Sequence, residues 1–121
     1  MARPFDESLR RTLYDTAKFL DLKVHYSGCV VTIEGPRFST IAESNMFRIW
    51  GADVINMSTA PEVILANEAG IPYGAVAMST DYDCWKEDEK PVTWDEILAV
   101  FQKNADNVKQ LLVKVVGTFA S

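Results

Sequence analysis

The chain begins with a helical pattern of hydrophobic positions. Apolar side chains recur every three or four residues, which is the spacing of one face of an α-helix. They are Leu9, Leu13, Ala17 and Leu20. Pro4 and Asp6 precede the pattern, and both residue types are common at helix starts. The sequence therefore predicts a helix over residues 6–21.

Four short segments between polar stretches predict strands. They are residues 23–27, 29–33, 53–57 and 73–79. The first two are rich in β-branched or aromatic residues and flank a glycine, which is typical of strands. The last is apolar almost throughout, so we expect that strand to be buried on both of its faces.

Three helix starts are marked by a capping box, in which a Thr and a Glu three residues later bond to each other's backbone N–H groups. The pairs are Thr40 with Glu43, Thr59 with Glu62, and Thr93 with Glu96. Gly51 and Gly70 are placed to end the first two of these helices. The third pair begins a long helix with one apolar side, from Trp94 to Val115.

Strands that alternate with capped helices are typical of βαβ crossovers. We therefore expect an α/β fold, in which a mixed, mainly parallel sheet is flanked by helices, and a single domain over residues 1–121. In open α/β sheets, ligands bind beyond the carboxyl ends of the strands. Three polar segments follow predicted strands in this way, and they are 34–38 (EGPRF), 56–62 (NMSTAPE) and 79–83 (STDYD).

The composition of the chain indicates which kinds of molecule we expect it not to bind. The 121 residues are 48% hydrophobic, and 12 basic against 17 acidic side chains give a net charge of −5. Proteins that bind nucleic acid usually present a basic face, so we expect no nucleic-acid partner. The sequence shows neither an apolar run of bilayer length nor the apolar core of a signal peptide, so we expect no membrane partner. Two cysteines without metal or redox spacing indicate reduced thiols, as in a cytosolic protein.

Asp81 and Asp83 give the sharpest chemical signal, because two carboxylates one residue apart follow an almost wholly apolar run. Taken alone, such a pair is more often part of a solvated turn. In a binding site, two carboxylates this close repel each other, so one of them keeps its proton more readily than an isolated Asp does. A protonated carboxyl group can then act as a general acid. The residue pattern alone leaves both interpretations open.

Longer stretches resemble a known family. The resemblance to the trimeric purine nucleoside phosphorylases is carried by VTIEGPRFST, AESNMFRIWGADVINMSTAPEVILANEAGIPY and AMSTDYDCWKEDE. GADVINMSTAPE is similar to the wider family, and TDYDCW is similar to its methylthioadenosine branch rather than the branch that takes 6-oxopurines. The resemblance runs through nearly the whole chain, and it corresponds to the second part of a family member and less than half its length. We therefore expect the purine and ribose half of a site, without the family's phosphate loop.

The resemblance implies phosphorolysis of 5′-deoxy-5′-methylthioadenosine to adenine and 5-methylthioribose 1-phosphate, in purine and methionine salvage. Inorganic phosphate is the co-substrate, and neither a metal nor an organic cofactor is implied. The complete enzyme is expected to be a homotrimer in the cytoplasm and also the nucleus, and this chain alone is expected to be inactive. Two alternatives stay open. One is a non-catalytic truncated isoform or pseudo-enzyme that binds nucleoside or associates with full-length subunits, and the other is a phosphorylase for other purines.

The resemblance also implies a role for individual positions. Asp81 matches the position that binds adenine and acts as its general acid, and Asp83 accepts a second hydrogen bond or holds the proton of Asp81. The implied substrate-binding residues are Phe38, Asn56, Met57, Thr80, Asp81, Asp83, Trp94, Ile97 and Leu98, and the implied phosphate-binding residue is Ser58. Among them, Trp94, Ile97 and Leu98 are the expected wall of the pocket for the 5′-methylthio group.

Overall fold

The structure is a computed structural model that describes residues 1–80, 82, 84, 85 and 94–119, without the side chains of Trp94, Glu96 and Ile97. Six helices and strands follow one another along these residues. They are α1 (Glu7–Phe19), β1 (Val30–Thr32), α2 (Ile41–Ile49), β2 (Val54–Asn56), α3 (Thr59–Glu68) and α4 (Trp94–Phe119). Strand and helix alternate from β1 to α3, as the sequence predicts.

β1 and β2 pair in parallel and form the sheet of the described residues. Val30 lies opposite Val54, and Thr32 lies opposite Asn56. The ladder continues for one more bond, since the Ile33 N–H donates to the Asn56 carbonyl at 2.9 Å. α2 connects the two strands, so they form one βαβ unit and end at the same edge of the sheet. The predicted α/β fold class is confirmed.

Two of the four predicted strands are absent. Residues 23–27 and 73–79 contain no strand. Apolar and β-branched side chains favour an extended backbone, but a strand forms only where a neighbour supplies hydrogen-bond partners. β1 and β2 supply them to each other, whereas the two other segments have no strand beside them among the described residues. These two predictions are wrong for that reason.

The second of these segments is held against the start of the chain and α1 instead. The Tyr73 carbonyl accepts from the Asp6 N–H at 2.9 Å. Gly74 lies so close to α1 that a Cβ at this position would be 3.1 Å from the Leu9 side chain. Val76, in the middle of the segment, is 38% exposed. The expected burial on both faces is therefore wrong as well.

Helix ends follow the local sequence signals. The Asp6 carboxylate caps α1, where it accepts from the Leu9 N–H at 2.7 Å. Gly51 and Gly70 follow α2 and α3 with φ angles of 81° and 68°, and each helix closes with the two hydrogen bonds of a Schellman motif. The predicted ends of α2 and α3 are confirmed. Asp21 takes the same place after α1, at a φ of 54°.

Phe47 of α2 and Val63 of α3 are buried, and a hydrophobic core cluster lies between α1 and α4. Its buried members are Ala17, Leu111 and Val115, and Leu13, Leu20, Leu22 and Val24 pack against them. The apolar side of α4 is only partly covered, since Leu98, Phe101 and Leu112 are 47%, 46% and 46% exposed. Phe19 and Ile49 are also exposed large apolar residues. None of the described helices combines the length and the hydropathy that a bilayer crossing requires.

Candidate active site

Side chains join the carboxyl ends of β1 and β2. The Thr32 hydroxyl donates to Asn56 Oδ1 at 2.9 Å. The same Oδ1 accepts from the backbone N–H groups of Ser58 at 3.4 Å and Thr59 at 3.3 Å, and Asn56 Nδ2 donates to Thr59 Oγ1. Thr32 Oγ1 in turn accepts from the Ala60 N–H at 3.2 Å. We call these five residues the strand-end network.

The strand-end network satisfies the amino-terminal backbone of α3. The first N–H groups of a helix have no partner inside it and often bind anions. Here the N–H groups of Ser58, Thr59 and Ala60 are bonded within the network, and Pro61 has none. The Ser58 side chain is exposed and makes no capping hydrogen bond. A ligand at this helix end therefore meets the Ser58 hydroxyl rather than backbone amides.

The predicted capping box at α3 is wrong. Asn56 accepts from the first amides in place of Thr59, so Thr59 becomes the first helical residue. Glu62 bonds elsewhere, where it accepts from the Tyr73 hydroxyl at 2.6 Å. This hydrogen bond to a carboxylate raises the pKa of Tyr73 to about 12. Glu62 thereby ties α3 to the segment that follows it.

The capping box at α2 is confirmed, and an arginine joins it. The Thr40 N–H donates to Glu43 Oε2 at 2.8 Å, and the Glu43 N–H donates to Thr40 Oγ1 at 3.2 Å. Arg37 donates from its two terminal nitrogens to both carboxylate oxygens of Glu43, at 2.8 and 2.6 Å. The Arg37 bonds, followed by those from Thr40, lower the pKa of Glu43 to about 2. The third predicted box, Thr93 with Glu96, lies outside the described residues.

Met57 lies against the loop that follows β1. Gly35 in this loop has a φ of 68°, and a Cβ there would be 2.7 Å from Met57 Sδ. Any larger residue at position 35 would therefore displace Met57. Met57 stays 37% exposed, and Phe38 on the same loop is 82% exposed. Met57 thus leaves apolar surface open just after β2, and Phe38 does so on the loop.

A pocket of about 310 Å³ lies between this loop and α2. Its lining residues are Ile33, Glu34, Gly35, Arg37, Ser39 and Glu43. Ser39 Oγ is buried and has no hydrogen-bond partner among the described residues, so a polar ligand atom that reached it would satisfy it. Sequence reasoning does not single out Ser39, because its only signal is a hydroxyl in a loop.

The segment after residue 80 reaches the same loop and α2. Cys84 Sγ donates to the Ser39 carbonyl at 3.4 Å. The Arg48 guanidinium carbon lies 3.9 Å from the centroid of the Trp85 ring, within the range of a cation–π contact. Tyr82 packs edge-on against Trp85, with ring centroids 6.1 Å apart. Within TDYDCW, Cys84 therefore contacts a residue that lines the pocket, and Trp85 contacts α2.

The other predicted site residues are placed only in part. Asp81, Asp83 and the side chains of Trp94 and Ile97 lie outside the described residues. Thr80 is half-buried, and Leu98 is exposed near the start of α4. No three His, Cys, Asp or Glu side chains within residues 1–80, 82, 84, 85 and 94–119 come together as a metal site.

Comparison with known proteins identifies the family. Residues 1–117 match the family model described as the phosphorylase superfamily. The chain belongs to this superfamily. It is 54% identical over its whole length to S-methyl-5′-thioadenosine phosphorylase of Xenopus tropicalis, of which it covers 43%. It is 53% identical over 96% of its length to the Danio rerio protein of the same name, of which it covers 41%. The chain thus spans less than half the length of these curated relatives.

Solved structures share its fold. Methylthioadenosine phosphorylase from Schistosoma mansoni in complex with adenine superposes with a TM-score of 0.91 at 36% identity, over 100% of this chain and 48% of that one. A mutant of adenosine/methylthioadenosine phosphorylase from the same organism in complex with methylthioadenosine gives a TM-score of 0.91 at 36% identity, over 100% and 46%. The expected nucleoside phosphorylase fold is confirmed, and the resemblance read from the sequence is confirmed with it.

Proposed function

We propose that this protein, at the full length of its relatives, is an S-methyl-5′-thioadenosine phosphorylase. The observation that carries the proposal is the Ser58 hydroxyl, exposed beside Met57 at the ends of two parallel strands. A nucleoside needs apolar surface for its base and sugar, and its attacking phosphate needs a polar group close by. Both kinds of surface lie side by side here, in a chain 54% identical to a relative of that name.

In the proposed reaction, a phosphate oxygen attacks C1′ of the ribose while the bond from C1′ to adenine N9 breaks. The electron pair of that bond leaves with adenine, and a proton from the Asp81 carboxyl group neutralises the base at N7. Asp83 accepts from the 6-amino group or holds the proton of Asp81. Thr80 adds a hydroxyl near the base. These roles rest on the resemblance of the TDYDCW segment, and in that segment Cys84 contacts the pocket-lining residue Ser39.

Ser58 is the proposed phosphate contact. Its hydroxyl is the group that the strand-end network leaves open at this end of α3. Met57 and Phe38 supply apolar surface for the sugar and the purine. Asn56 donates one amide hydrogen to Thr59, and an amide carries two, so the second can bond to the ribose. Trp94, Ile97 and Leu98 form the proposed wall of the 5′ pocket.

The proposal includes the assembly and the setting of the enzyme. We propose a homotrimer in the cytoplasm and nucleus that acts in purine and methionine salvage, with phosphate as co-substrate and without a metal or organic cofactor. Exposed large apolar side chains support the view that further protein covers this chain, with Ile49 84% and Phe19 75% exposed.

The test is phosphate-dependent release of adenine from 5′-deoxy-5′-methylthioadenosine. It compares this chain alone with the extended protein, which is the chain completed by the segments of the Xenopus tropicalis relative that lie outside the match. We expect the extended protein to release adenine when phosphate is present and the chain alone to release none. A folded extended protein without activity would favour the alternative of a non-catalytic isoform or pseudo-enzyme. Turnover of 6-oxopurine nucleosides alone would favour the alternative of a phosphorylase for other purines.

Asp81→Asn in the extended protein tests the role of the general acid. The amide cannot give up a proton, so turnover should fall by roughly 10²–10⁴-fold. The NH₂ group of the new amide would face the 6-amino donor of adenine but the O6 acceptor of hypoxanthine. Substrate preference should therefore move from methylthioadenosine towards methylthioinosine. Asp106→Asn is the matched control, because Asp106 is exposed on α4, where it pairs with Lys109 at 3.3 Å. An unchanged rate and base preference in Asp81→Asn would refute the proposed role of the Asp81 carboxyl group.

A further inference from the structure

Thr32 holds two parts of the strand-end network together. Its hydroxyl donates to Asn56 Oδ1 at 2.9 Å and accepts from the Ala60 N–H at 3.2 Å. One side-chain oxygen thus acts as donor and acceptor at once, between the end of β1 and the start of α3. Both hydrogen bonds are partly buried. Loss of the hydroxyl would remove the partner of the Ala60 N–H and one of the three donors to Asn56 Oδ1.

Ser58 depends on this arrangement more than Met57 does. The Ser58 N–H donates to Asn56 Oδ1 at 3.4 Å, and the bond from Thr32 orients that same oxygen atom. Met57 has an anchor of its own, because its Sδ packs against the backbone at Gly35. A loosened Asn56 side chain should therefore shift Ser58 while Met57 keeps its place.

We infer that Thr32 is a positioning residue for phosphate binding. Its hydroxyl fixes the Asn56 side chain, Asn56 fixes the backbone at Ser58, and the backbone fixes the direction of the Ser58 hydroxyl. Thr32 acts through these residues and is not itself a catalytic residue. The inference rests on the proposed function, in which Ser58 contacts the phosphate.

Amide hydrogen exchange in the extended protein tests the structural part of the inference. Thr32→Val keeps the shape of the side chain and removes the hydroxyl, so exchange at Ser58 and Ala60 should become about two- to tenfold faster. Thr32→Ser keeps a hydroxyl and should restore slow exchange. Thr12→Val is the matched control, because the Thr12 hydroxyl donates to the Ser8 carbonyl at 3.0 Å on α1, away from the network. Unchanged exchange at both amides in Thr32→Val would overturn the inference.

Steady-state kinetics of the extended protein test the functional part. We expect Thr32→Val to raise the KM for phosphate by about two- to tenfold. The KM for the nucleoside should rise by a smaller factor, because the proposed ribose contact comes from Asn56 Nδ2, which still has Thr59 Oγ1 as its partner in the variant. Thr32→Ser should restore the phosphate KM. A purely structural role would lower the melting temperature without separating the two constants, so an unchanged phosphate KM or an equal rise in both would overturn the inference. Thr32→Ala gives the same comparison if Thr32→Val does not fold.

Ser58→Ala separates this inference from the function on which it rests. An unchanged phosphate KM in Ser58→Ala would refute the proposed phosphate contact, and the role of Thr32 would be refuted with it. A raised phosphate KM in Ser58→Ala with no change in Thr32→Val would refute the role of Thr32 alone. We expect the phosphate KM to rise in Ser58→Ala and in Thr32→Val, and to stay at its original value in Thr32→Ser.

Discussion

Replacing Gly35 with Ala tests the contact between Met57 and the loop after β1. Gly35 has a φ of 68°, a left-handed conformation that costs a residue with a Cβ about 1–2 kcal/mol. The new Cβ would also be 2.7 Å from Met57 Sδ. Met57 would then have to leave its rotamer, at a cost of about 0.5–1.5 kcal/mol. We expect Gly35→Ala to lower the free energy of unfolding by about 1.5–3.5 kcal/mol in total.

Gly70→Ala is the control for the backbone cost. Gly70 has the same φ of 68°, but nothing lies within 4 Å of a Cβ at that position, so we expect a loss of only about 1–2 kcal/mol. A double-mutant cycle with Met57→Ala isolates the contact, because the part of the loss due to Met57 disappears in that background.

Urea unfolding measures these free energies, and the kinetics of the extended protein measure the effect on the site. A displaced Met57 should raise the KM for the nucleoside and leave the KM for phosphate nearly unchanged, which is the reverse of the effect expected for Thr32→Val. The contact between Gly35 and Met57 would be refuted by two results together. Gly35→Ala would cost the same stability with Met57 and with Met57→Ala, and the nucleoside KM would not change.

Two further predictions concern the same loop and α2. The pKa of Glu43 is about 2 in the folded chain against an ordinary value of 4.5, so the stability that the ionised carboxylate contributes is present above pH 4.5 and is lost as the pH falls towards 2. Glu43→Gln should flatten this part of a curve of unfolding free energy against pH, and an equally steep curve in the variant would contradict the assignment to Glu43. Ser39→Ala removes a buried hydroxyl that has no partner among the described residues, so the free energy of unfolding should stay the same or rise by at most about 3 kcal/mol. A clear loss of stability in urea unfolding would show that the Ser39 hydroxyl is bonded.

Features that depend on residues close together in the sequence could be predicted. Asp6, the pair of Thr40 and Glu43, and the two glycines Gly51 and Gly70 each act within one turn of a helix end. The hydrogen bonds that they form need no distant partner, so the sequence alone predicted where α1 and α2 begin and where α2 and α3 end. The βαβ unit followed from the same alternation of elements.

Features that depend on distant partners could not be predicted. Segment 73–79 has the composition of a strand, but no strand lies beside it among the described residues. Thr59 has the spacing of a cap, yet Asn56 reaches the amides of α3 first, because pairing with Thr32 holds it there. The burial of Ser39 Oγ likewise exists only in the folded chain. The residue pattern indicated segment 56–62 as a ligand-binding region, and the resemblance assigned individual roles in it to Asn56, Met57 and Ser58.

The bond between Thr32 and Asn56 also bears on how two very short strands find their alignment. Each strand has three residues, so few backbone hydrogen bonds distinguish one alignment from the next. A slip by one residue would place Val31 or Ile33 opposite Asn56 and turn every side chain of that strand to the other face. Neither Val31 nor Ile33 offers a hydroxyl, so the amide of Asn56 would be left in a partly buried place without this partner. The native register is therefore the alignment in which the Thr32 hydroxyl meets the Asn56 amide. This pair favours the native register over its neighbours, which the few backbone hydrogen bonds of such short strands would do only weakly.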